Sequence, residues 1–571
     1  MQWKNRNFKD LYEAVDYHTG GHASEMLEPH LPESEVQNAD VMAIWLQYYA
    51  QKKIPLTIIG DYDADGIHAA AEMWLFLREL GAEKIKIRLP KRFSEGYGLS
   101  SKIVQEINKG VIITVDNGIT AFEAIKMAKQ KGLVVLVIDH HLPVKDKNAN
   151  IHLPEADLII NPMVKDILIA DGRVVNSTYR NYCGAGLVLK VAEQLIKNTH
   201  TYQKIQAMAA VATVADVMPL TGENRNIVKN GIEQMRKRNI TAGQASLVGL
   251  LHSGYEVTES DIGFKIAPMI NAPGRLLDNG AEKSLHTLLA ATETQGDIGA
   301  NELQQFNIRR KALKDNAVRN AFAYIQEHGL EKKNPIIICD PKIPEGIVGL
   351  VAGEIQERFH MSAFVLTETE NCLKGSGRGR DEDNLKESLD KFVALYPEAM
   401  ISYGGHKSAA GVRLNREYFS LFKNTMDSIM LEPEGTDNEL WYDLEINAME
   451  IAEMCEEVRS FAPYGEGNPE PIFRINHFKL LPKGGMFYST LGTDGIKFFG
   501  DGCEAVSFNQ FDRYLELGAP KELDLIGKLS FRNYMGVRTP QVEILDFYSC
   551  EPVVKENSIQ KSIAEALFNI F

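Results

Sequence analysis

The sequence predicts an α/β protein with a doubly wound parallel sheet, followed by a smaller α/β unit and a C-terminal β-barrel. Continuous apolar runs such as Val134–Ile138 are typical of strands buried on both faces. Helical segments alternate with these runs through short connections, which is the order of a parallel sheet. Several runs end in Asp, His or Asn, and ligands of open α/β sheets bind beyond the carboxyl ends of the strands. We therefore expect a functional site at this edge.

Length and composition limit the class of protein. A chain of 571 residues is too long for a single core and indicates several domains. The formal net charge of −15 argues against a broad basic surface that wraps duplex DNA. The six scattered cysteines form no CxxC pair, so we expect reduced thiols, a cytoplasmic location and no thiolate zinc site. We expect neither a signal peptide nor a membrane span, because no apolar run is long enough.

The first strand follows a helical lead-in, residues 1–50, in which we recognise no chemistry. The run Leu56–Ile59 meets a glycine and then Asp61, Asp63 and Asp65, before a helix predicted over 67–80. One of these acids could cap the helix. Three acids so close together repel one another unless a metal ion or protons balance them. Metal binding is therefore the favoured interpretation.

The next strand leads into the loop 90–99, which combines cations with aromatic residues. Arg92 could hold a phosphate and Tyr97 could stack on a base. The alternative is a solvated turn, and these residues alone do not decide between the two.

Two further strands end in residues that can bind a metal ion. Val111–Val115 leads into Asp116, and Val134–Ile138 leads into Asp139, His140 and His141. In the later run 208–220, Asp216 is a lone acid among core residues, and a buried Asp needs a partner or a metal ion.

Together the residues predict a site with oxygen and nitrogen ligands and no thiolate. The expected ligands are Asp63, Asp65, Asp116, His140 and Asp216. This set suits two Mn²⁺ or Mg²⁺ ions, roughly 3.5–4 Å apart, for attack on phosphorus. His141 is placed to contact a phosphate oxygen or move a proton, and Asp139 to orient a histidine. His68 could approach the site, although a helix-packing histidine is an equal alternative.

The second half of the chain predicts a connector, a second unit and a barrel. The segment 270–275 predicts a loop that presents Arg275, and 301–328 predicts a long amphipathic helix between domains. Glycine-rich loops at 374–380 and 404–411 are consistent with a phosphate-backbone groove, with flexible surface loops as the alternative. The turn-rich segment 461–471 predicts a boundary, and the alternating runs after it predict a small barrel that binds single-stranded nucleic acid.

Nine short motifs resemble those of one family. DYDADG (61–66), VDNG (115–118), DHH (139–141) and ADVMPL (215–220) resemble the DHH phosphoesterase superfamily. EGYGL (95–99), NAPGR (271–275), GSGRG (375–379), GGHKSAAG (404–411) and PYGEGNPEP (463–471) make the chain similar to the RecJ family of single-strand-specific exonucleases. One motif would be weak evidence, but the ordered set is highly specific.

The resemblance implies a function and its residues. Enzymes of this family degrade single-stranded DNA from the 5′ end to 5′-mononucleotides with Mn²⁺ or Mg²⁺, in recombination and repair. The five ligands above then hold the metal ions, and His141 takes a catalytic position with Asp139. Substrate-binding positions fall on Arg92, Tyr97, Arg275, Ser376, Arg378 and His406.

The resemblance also implies an organisation and partners. It predicts a DHH domain over 51–295, a connecting helix over 296–330, a DHH-associated domain over 331–432 and an OB-fold-like domain over 433–571. It implies a monomer that binds single-stranded DNA, with a single-strand-binding protein and a RecQ-type helicase as partners. Two departures are Ile67-His68-Ala69, where the family has small hydroxyl residues, and the short lead-in.

There are two alternatives to this function: a different enzyme of the superfamily, and a relative that is not an enzyme. A nanoRNase or cyclic-dinucleotide phosphodiesterase of the superfamily has only the two catalytic domains, so the extra length argues against it. A non-catalytic relative that binds single strands in a replication complex would have lost ligands, whereas every expected ligand type is present.

Overall fold

The computed structural model describes residues 2–550, apart from 147–149, 165–178, 252–253, 255, 431–438, 493, 509 and 535. The predicted boundary at 432/433 lies outside the described residues, and the other predicted domain limits stay predictions. None of the described helices is long and apolar enough to cross a membrane.

The lead-in begins with a strand, which the sequence did not predict. Its elements are β1 (Gln2–Asn5), α1 (Leu11–His18), α2 (Ala23–Leu27) and α3 (Ala39–Gln51). Helix α3 packs its apolar face into the core of the first domain.

The first domain contains the parallel sheet that the sequence predicted. Its elements are β2 (Leu56–Ile59), α4 (Ala64–Glu79), β3 (Ile85–Arg88), α5 (Ser101–Gln105), β4 (Val111–Val115), α6 (Phe122–Gln130), β5 (Val134–Ile138), a short ribbon β6 (Val144–Lys145) with β7 (Ile151–His152), and β8 (Leu158–Ile160). The five main strands are all parallel, in the order β3-β2-β4-β5-β8. Alternate residues face opposite ways: Ile113 packs under α4, and Ile112 packs under α5 and α6.

Helices complete the first domain and lead out of it. They are α7 (Gly184–Ile196), α8 (His200–Ala215), α9 (Gly222–Arg236), α10 (Ala242–Gly249), α11 (Glu259–Asp261), a π-helical turn (Ile262–Ile266), α12 (Ala267–Leu276), α13 (Ala281–Leu288) and the long α14 (Glu293–Glu327). The prediction of a loop at 270–275 was wrong, because these residues belong to α12. Pro273 and Gly274 are buried there, and a Cβ atom on Gly280 would lie 2.0 Å from the Pro273 carbonyl oxygen. Close packing of this part of α12, and not a turn, therefore explains why proline and glycine occur here.

The second unit is a five-stranded sheet with helices. Its elements are β9 (Ile336–Cys339), a 3₁₀ turn (Glu345–Ile347), α15 (Val348–Phe359), β10 (Ala363–Glu368), β11 (Leu373–Arg378), α16 (Leu385–Leu395), β12 (Met400–Gly405), β13 (Ala409–Leu414), a second 3₁₀ turn (Arg416–Tyr418) and α17 (Phe419–Ile429). The order is β12-β13-β11-β10-β9. The two predicted glycine-rich loops were wrong: 374–378 is strand β11, and 404–411 is mostly the β12–β13 hairpin. A Cβ atom on Gly377 would lie 2.5 Å from the Phe364 ring, so this glycine permits packing within a strand.

The C-terminal part is a seven-stranded sheet with two helices. Its elements are β14 (Glu439–Tyr442), β15 (Leu444–Asn447), a 3₁₀ turn (Ala448–Glu450), α18 (Ile451–Ser460), β16 (Ile472–Lys479), β17 (Tyr488–Leu491), β18 (Gly495–Phe499), β19 (Glu504–Ser507), α19 (Phe511–Glu516), β20 (Glu522–Tyr534) and β21 (Val537–Ser549). The sheet order is β15-β16-β20-β21-β19-β18-β17, and β14 pairs with β1 instead.

The segment 461–471 is not the boundary that the sequence predicted. Strand β15 of the C-terminal sheet precedes it. Its Asn468 is buried, and the Glu466 carbonyl oxygen accepts a 2.7 Å hydrogen bond from the backbone of Leu220. This segment therefore attaches the C-terminal part to the first domain.

Candidate active site

The polar residues of the first domain meet where β2, β4 and β5 end. After β2 the chain turns sharply into α4. A Cβ atom on Gly66 would lie 2.4 Å from the backbone nitrogen of Asp61, so this turn requires glycine. The tight turn brings Asp61 and Asp63 beside Asp116 at the end of β4.

Seven side chains converge there in three overlapping groups, and within each group the possible ligand atoms lie within 4.8 Å of one another. The groups are Asp61 with Asp63 and Asp116; Asp65 with His140 and Asp216; and Asp116 with His140 and His141. His140 Nε2 lies 3.1 Å from Asp116 Oδ1, 3.7 Å from Asp65 Oδ2 and 3.8 Å from Asp216 Oδ2. We call Asp61, Asp63, Asp65, Asp116, Asp216 and His140 the carboxylate cage.

Backbone N–H groups hold two of these carboxylates in place. Both oxygens of Asp65 accept hydrogen bonds from the N-terminus of α7, at 2.6 Å from Gly184 and 2.8 Å from Ala185. The N–H groups at the first turn of α7 thus fix the orientation of this carboxylate. Asp63 caps α4 by accepting a hydrogen bond from Gly66 at 3.2 Å. The capping role that the sequence left open is therefore real, and Asp63 lies in the cage as well.

Asp116 occupies an unusual position. Its backbone φ is 62°, in the left-handed region that few non-glycine residues adopt. A Cβ atom on Gly184 would lie 2.4 Å from Asp116 Cβ, so α7 presses directly on this residue. Its Oδ1 is buried and makes no well-aligned hydrogen bond among the described residues, although His140 Nε2 lies 3.1 Å away. Such strain and such an unsatisfied atom are typical of functional sites.

The electrostatics of the cage favour a divalent cation. Burial, and then the charges of neighbouring carboxylates, raise the pKa of Asp116 well above its usual range and that of Asp216 to about 8. Burial lowers the pKa of His140, which favours the neutral imidazole that binds metal ions. Hard carboxylates with one imidazole, and a buried oxygen without a well-aligned hydrogen bond, fit Mn²⁺ or Mg²⁺.

His141 lies beside the cage and is held by two neighbours. Its Nδ1 is 2.8 Å from Asp139 Oδ1, and Asp139 Oδ2 accepts a hydrogen bond from Ile119 at 2.8 Å. Burial lowers the pKa of His141, but the hydrogen bond to Asp139 outweighs it and the pKa rises to about 9. The Tyr97 hydroxyl donates to the Asp116 carbonyl oxygen at 2.7 Å and lies 3.0 Å from His141 Nδ1. Tyr97 thus supports the histidine, and its predicted stacking role stays a prediction.

A cluster of arginines faces the cage across a cavity of about 290 Å³. Arg92 and Arg275 line this cavity together with Asp63, Asp65 and Asp216. The Arg92 guanidinium lies 4.5 Å from the centre of the Tyr62 ring. Burial, then the charges of Arg92 and Arg310, lower the pKa of Arg275 to about 9, and Arg378 adds to this effect. Cations crowded in this way form a site for an anion.

Of the predicted residues in the second unit, Arg378 lies near enough to Arg275 to lower its pKa, but neither Arg378 nor Ser376 lines the cavity. Arg275 Nη1 donates to the Gly346 carbonyl oxygen at 3.3 Å, which joins α12 to the turn before α15. Arg378 donates to Ser376 Oγ at 2.9 Å. His406 lies exposed in the turn between β12 and β13, and it does not line the cavity.

Known proteins resemble this chain along most of its length. Residues 55–216 match the DHH family, N-terminal domain, and residues 442–546 match the RecJ OB domain. The single-stranded-DNA-specific exonuclease RecJ of Haemophilus influenzae is 30% identical over an alignment of 537 positions that covers 89% of each chain. The chain belongs to the RecJ family. Its relative of the same name from Escherichia coli is 29% identical over 526 residues and 86% of each chain.

Solved RecJ structures extend this match to the three-dimensional arrangement. RecJ in complex with Mn²⁺ from Thermus thermophilus aligns with a TM-score of 0.76 at 25% identity, over 99% of this chain and 83% of that one. An exonuclease RecJ bound to manganese aligns with a TM-score of 0.57 at 28% identity, over 69% of this chain and 94% of that one. The predicted fold class, a parallel-sheet DHH domain with a C-terminal OB domain, is confirmed.

Three residues of this RecJ-family site were missed at the sequence level, and a fourth was left out of the five expected ligands. That fourth residue is Asp61, one of the three acids for which the sequence favoured metal binding, and it joins the cage. Asn271 accepts a hydrogen bond from the Ala64 backbone at 2.9 Å and lines the cavity. Arg310 projects from α14 toward Arg275, and Tyr62 lies under Arg92. The NAPGR motif contained Asn271, whereas nothing in the pattern of α14 distinguished Arg310 from its neighbours.

Proposed function

We propose that the protein is an exonuclease that degrades single-stranded DNA from its 5′ end by hydrolysing phosphodiester bonds. The single observation that supports this most strongly is the pairing of the two walls. A cage of carboxylates lies directly across a small cavity from clustered arginines. One wall suits cations and the other suits an anion, as hydrolysis of a charged phosphodiester requires.

The cage would hold two divalent ions. Asp63, Asp65, Asp116, His140 and Asp216 are the proposed ligands, and the position of Asp61 adds a sixth candidate. Bound Mn²⁺ or Mg²⁺ would supply a more acidic water and stabilise charge on the attacked phosphate. The mutual repulsion of the carboxylates supports this assignment, because bound cations would remove it.

The remaining side chains would position the phosphate and manage the proton. His141, which keeps its proton because Asp139 lies 2.8 Å from Nδ1, would donate to a phosphate oxygen or to the leaving group. Asp139, which is itself held by the backbone N–H of Ile119, would fix the ring orientation of His141 through its contact with Nδ1. Tyr97 would restrict the imidazole from the other side through its hydroxyl.

The arginines would recognise the end of the strand. Arg92 and Arg275 line a cavity whose volume, about 290 Å³, suits one terminal nucleotide better than a continuous strand. Arginine binds phosphate oxygens in pairs, so a 5′ phosphate would fix the register of the scissile bond. Arg378 and Ser376 would contact the DNA backbone. His406 would bind the substrate there as well.

The rest of the strand would leave through an adjoining cavity of about 530 Å³, which shares Asn271 and Arg275 with the smaller one. Its wall includes the exposed ring of Phe264 and also Tyr464 and Lys528 of the C-terminal part. Aromatic rings that stack on bases and a cation for the backbone suit a single strand.

A nuclease assay tests the proposal. Strands labelled at the 5′ or the 3′ end, single or paired, are incubated with Mn²⁺, with Mg²⁺ or with chelator. We expect labelled 5′-mononucleotide at the earliest times from the 5′-labelled single strand only, and no product in chelator. Early release from 3′-labelled strands would overturn the polarity. Hydrolysis of dinucleotides without action on long strands would instead support the nanoRNase or cyclic-dinucleotide phosphodiesterase alternative.

The cellular setting rests on the family resemblance alone. We propose that the enzyme acts as a cytoplasmic monomer in DNA recombination and repair, with a single-strand-binding protein and a RecQ-type helicase as partners. Co-purification from the native organism, with and without nuclease treatment, would test whether these partners bind the protein directly.

A further inference from the structure

The loop that carries Arg92 has no helix or strand of its own, yet both of its sides are fixed. On one side Glu95 accepts a hydrogen bond from the backbone of Lys91 at 2.9 Å and pairs with Arg88 at 2.7 Å. On the other side the contacts come from Asp278, far along the chain. Such a loop can hold a side chain precisely only while these contacts persist.

Asp278 makes four hydrogen bonds to three successive residues of this loop. Its Oδ1 accepts from the backbone of Phe93 at 2.8 Å and of Ser94 at 3.1 Å, and its Oδ2 accepts from Ser94 Oγ at 2.6 Å. Its carbonyl oxygen accepts from the backbone of Arg92 at 3.0 Å. Hydrogen bonds to a charged acceptor are stronger than neutral ones.

The position of Asp278 gives these contacts a consequence for the site. It follows Arg275 by three residues, just after the end of α12. A single residue thus connects the loop of Arg92 to the helix that presents Arg275, and both guanidinium groups line the same cavity. Because like charges in that cavity repel, the two arginines need an external restraint to stay together.

We infer that Asp278 is a positioning residue for recognition of the strand end: it holds Arg92 where Arg92 and Arg275 bind the same terminal phosphate. The inference rests on the proposed function, because it assumes that the arginines bind a 5′ phosphate. Asp278 itself does not line the cavity. Its effect passes through the backbone of residues 92–94.

The test compares single strands with a 5′ phosphate and a 5′ hydroxyl, measuring KM and kcat for each. We expect the native enzyme to prefer the phosphorylated strand. Asp278→Ala should lose about tenfold of this preference, mainly through KM, the order of effect for removing hydrogen bonds to a charged group. Asp278→Asn keeps an acceptor for both N–H groups, so it should keep most of the preference.

A double variant separates positioning from general loss of structure. If Asp278 acts through Arg92, Asp278→Ala should change the preference no further once Arg92→Ala is present. Independent, additive losses would overturn the inference. Asp157→Ala is the matched control, because Asp157 also accepts a backbone hydrogen bond, from Val135 at 2.8 Å, and does not line the cavity. It should leave the preference unchanged.

The outcomes distinguish the inference from the function on which it rests. A native enzyme without any preference for the phosphorylated strand would refute the proposed phosphate pocket itself. A native preference that survives in Asp278→Ala would refute only the positioning role. If Asp278→Ala fails to fold, Ser94→Ala, which removes the 2.6 Å contact alone, should show a smaller loss of preference; an unchanged preference there would also refute the role.

Discussion

At the scale of single residues, a substitution of Asp116 tests the assignment of the cage. Asp116→Asn removes the charge, and Asn tolerates the left-handed backbone at φ 62° better than Ala. We expect Mn²⁺-dependent nucleotide release to fall at least about 100-fold. Removing even a residue that only orients a metal ligand lowers metal affinity or activity by about 10–100-fold. The thermal midpoint in chelator should not fall. Activity near that of the native enzyme would contradict the site assignment.

Asp216 links metal binding to the pH dependence of stability. Its folded-state pKa of about 8 lies above the unfolded value of 3.8. The folded protein therefore binds the extra proton, and stability in chelator should fall as pH rises toward 8. Asp216→Asn cannot ionise, so its thermal midpoint in chelator should fall less between about pH 6 and 8. Parallel curves for the two proteins would contradict the prediction. Saturating Mn²⁺ should flatten the native curve.

Arg378 should contribute to affinity for the DNA backbone. Arg378→Ala is expected to weaken single-strand binding and to reduce the slope of log affinity against log salt by about 0.7, the value for one phosphate contact on a single strand. Arg380→Ala is the control two residues away, because Arg380 already pairs with Asp383 at 2.9 Å. Fluorescence anisotropy in chelator at several salt concentrations measures both. Equal slopes for native enzyme and Arg378→Ala would count against the contact.

Most of the cage could be predicted from the sequence, because most of its residues follow apolar strands. The end of each strand in a parallel sheet lies at one edge, so Asp116 and His140 could be placed together without coordinates. Arg310 could not, because Arg275 lies 35 positions away and α14 contains two other arginines, Arg309 and Arg319, that the pattern does not distinguish from it. Asp278 was missed for the same reason: an aspartate in a turn has many ordinary roles.

At the scale of elements, glycine was the main source of error. Glycines at 375 and 377 suggested a loop, yet they lie in β11, where side chains of β10 fill the space of a Cβ atom. Composition cannot distinguish a glycine needed for a turn from one needed for close packing. The parallel strands and α4 were predicted within a few residues, because their apolar periodicity does not depend on distant partners. The long helix was predicted to begin at 301, whereas α14 begins at Glu293.

Gly346 offers a test of how the second unit contacts the first. A Cβ atom there would lie 1.9 Å from the Arg275 carbonyl oxygen, so Gly346→Ala must shift the turn before α15 away from α12. We expect destabilisation of about 1–3 kcal/mol, as for overpacked sites, and a higher KM for single strands. Gly353→Ala, in α15 with nothing within 4 Å, is the control and should be neutral or slightly stabilising. Denaturant unfolding and steady-state kinetics measure both; a native-like Gly346→Ala would contradict the contact.

At the scale of the whole molecule, the lead-in folds together with the C-terminal part. Strand β1 pairs with β14, and Leu11, Val15 and Met26 lie in the apolar core of the C-terminal part. The buried Arg225 donates to the carbonyl oxygens of Met26 and Phe461, which ties both parts to the first domain. Pairing between residues more than 430 positions apart leaves no local pattern, so the lead-in was interpreted as helical alone.

This arrangement determines how the C-terminal part can be removed. A chain cut to 1–430 would keep Leu11 and Val15 without their partners and should aggregate. A chain cut to 31–430 removes both ends together and keeps Leu31, whose backbone donates to Asn226 at 2.9 Å. It retains every cage residue and arginine of the site. We therefore expect it to fold and to hydrolyse dinucleotides at a rate close to that of the full chain.

Long single strands should distinguish the truncated chain from the full one. The wall of the larger cavity loses Tyr464 and Lys528, which are its proposed contacts to the strand. Loss of one stacked base costs about 1–3 kcal/mol, so KM for a long strand should rise by about tenfold or more while dinucleotide hydrolysis persists. Size-exclusion chromatography checks the fold, and parallel kinetics on the two substrates check the effect. Equal loss on both substrates would show that the C-terminal part supports the catalytic site itself instead of guiding the strand.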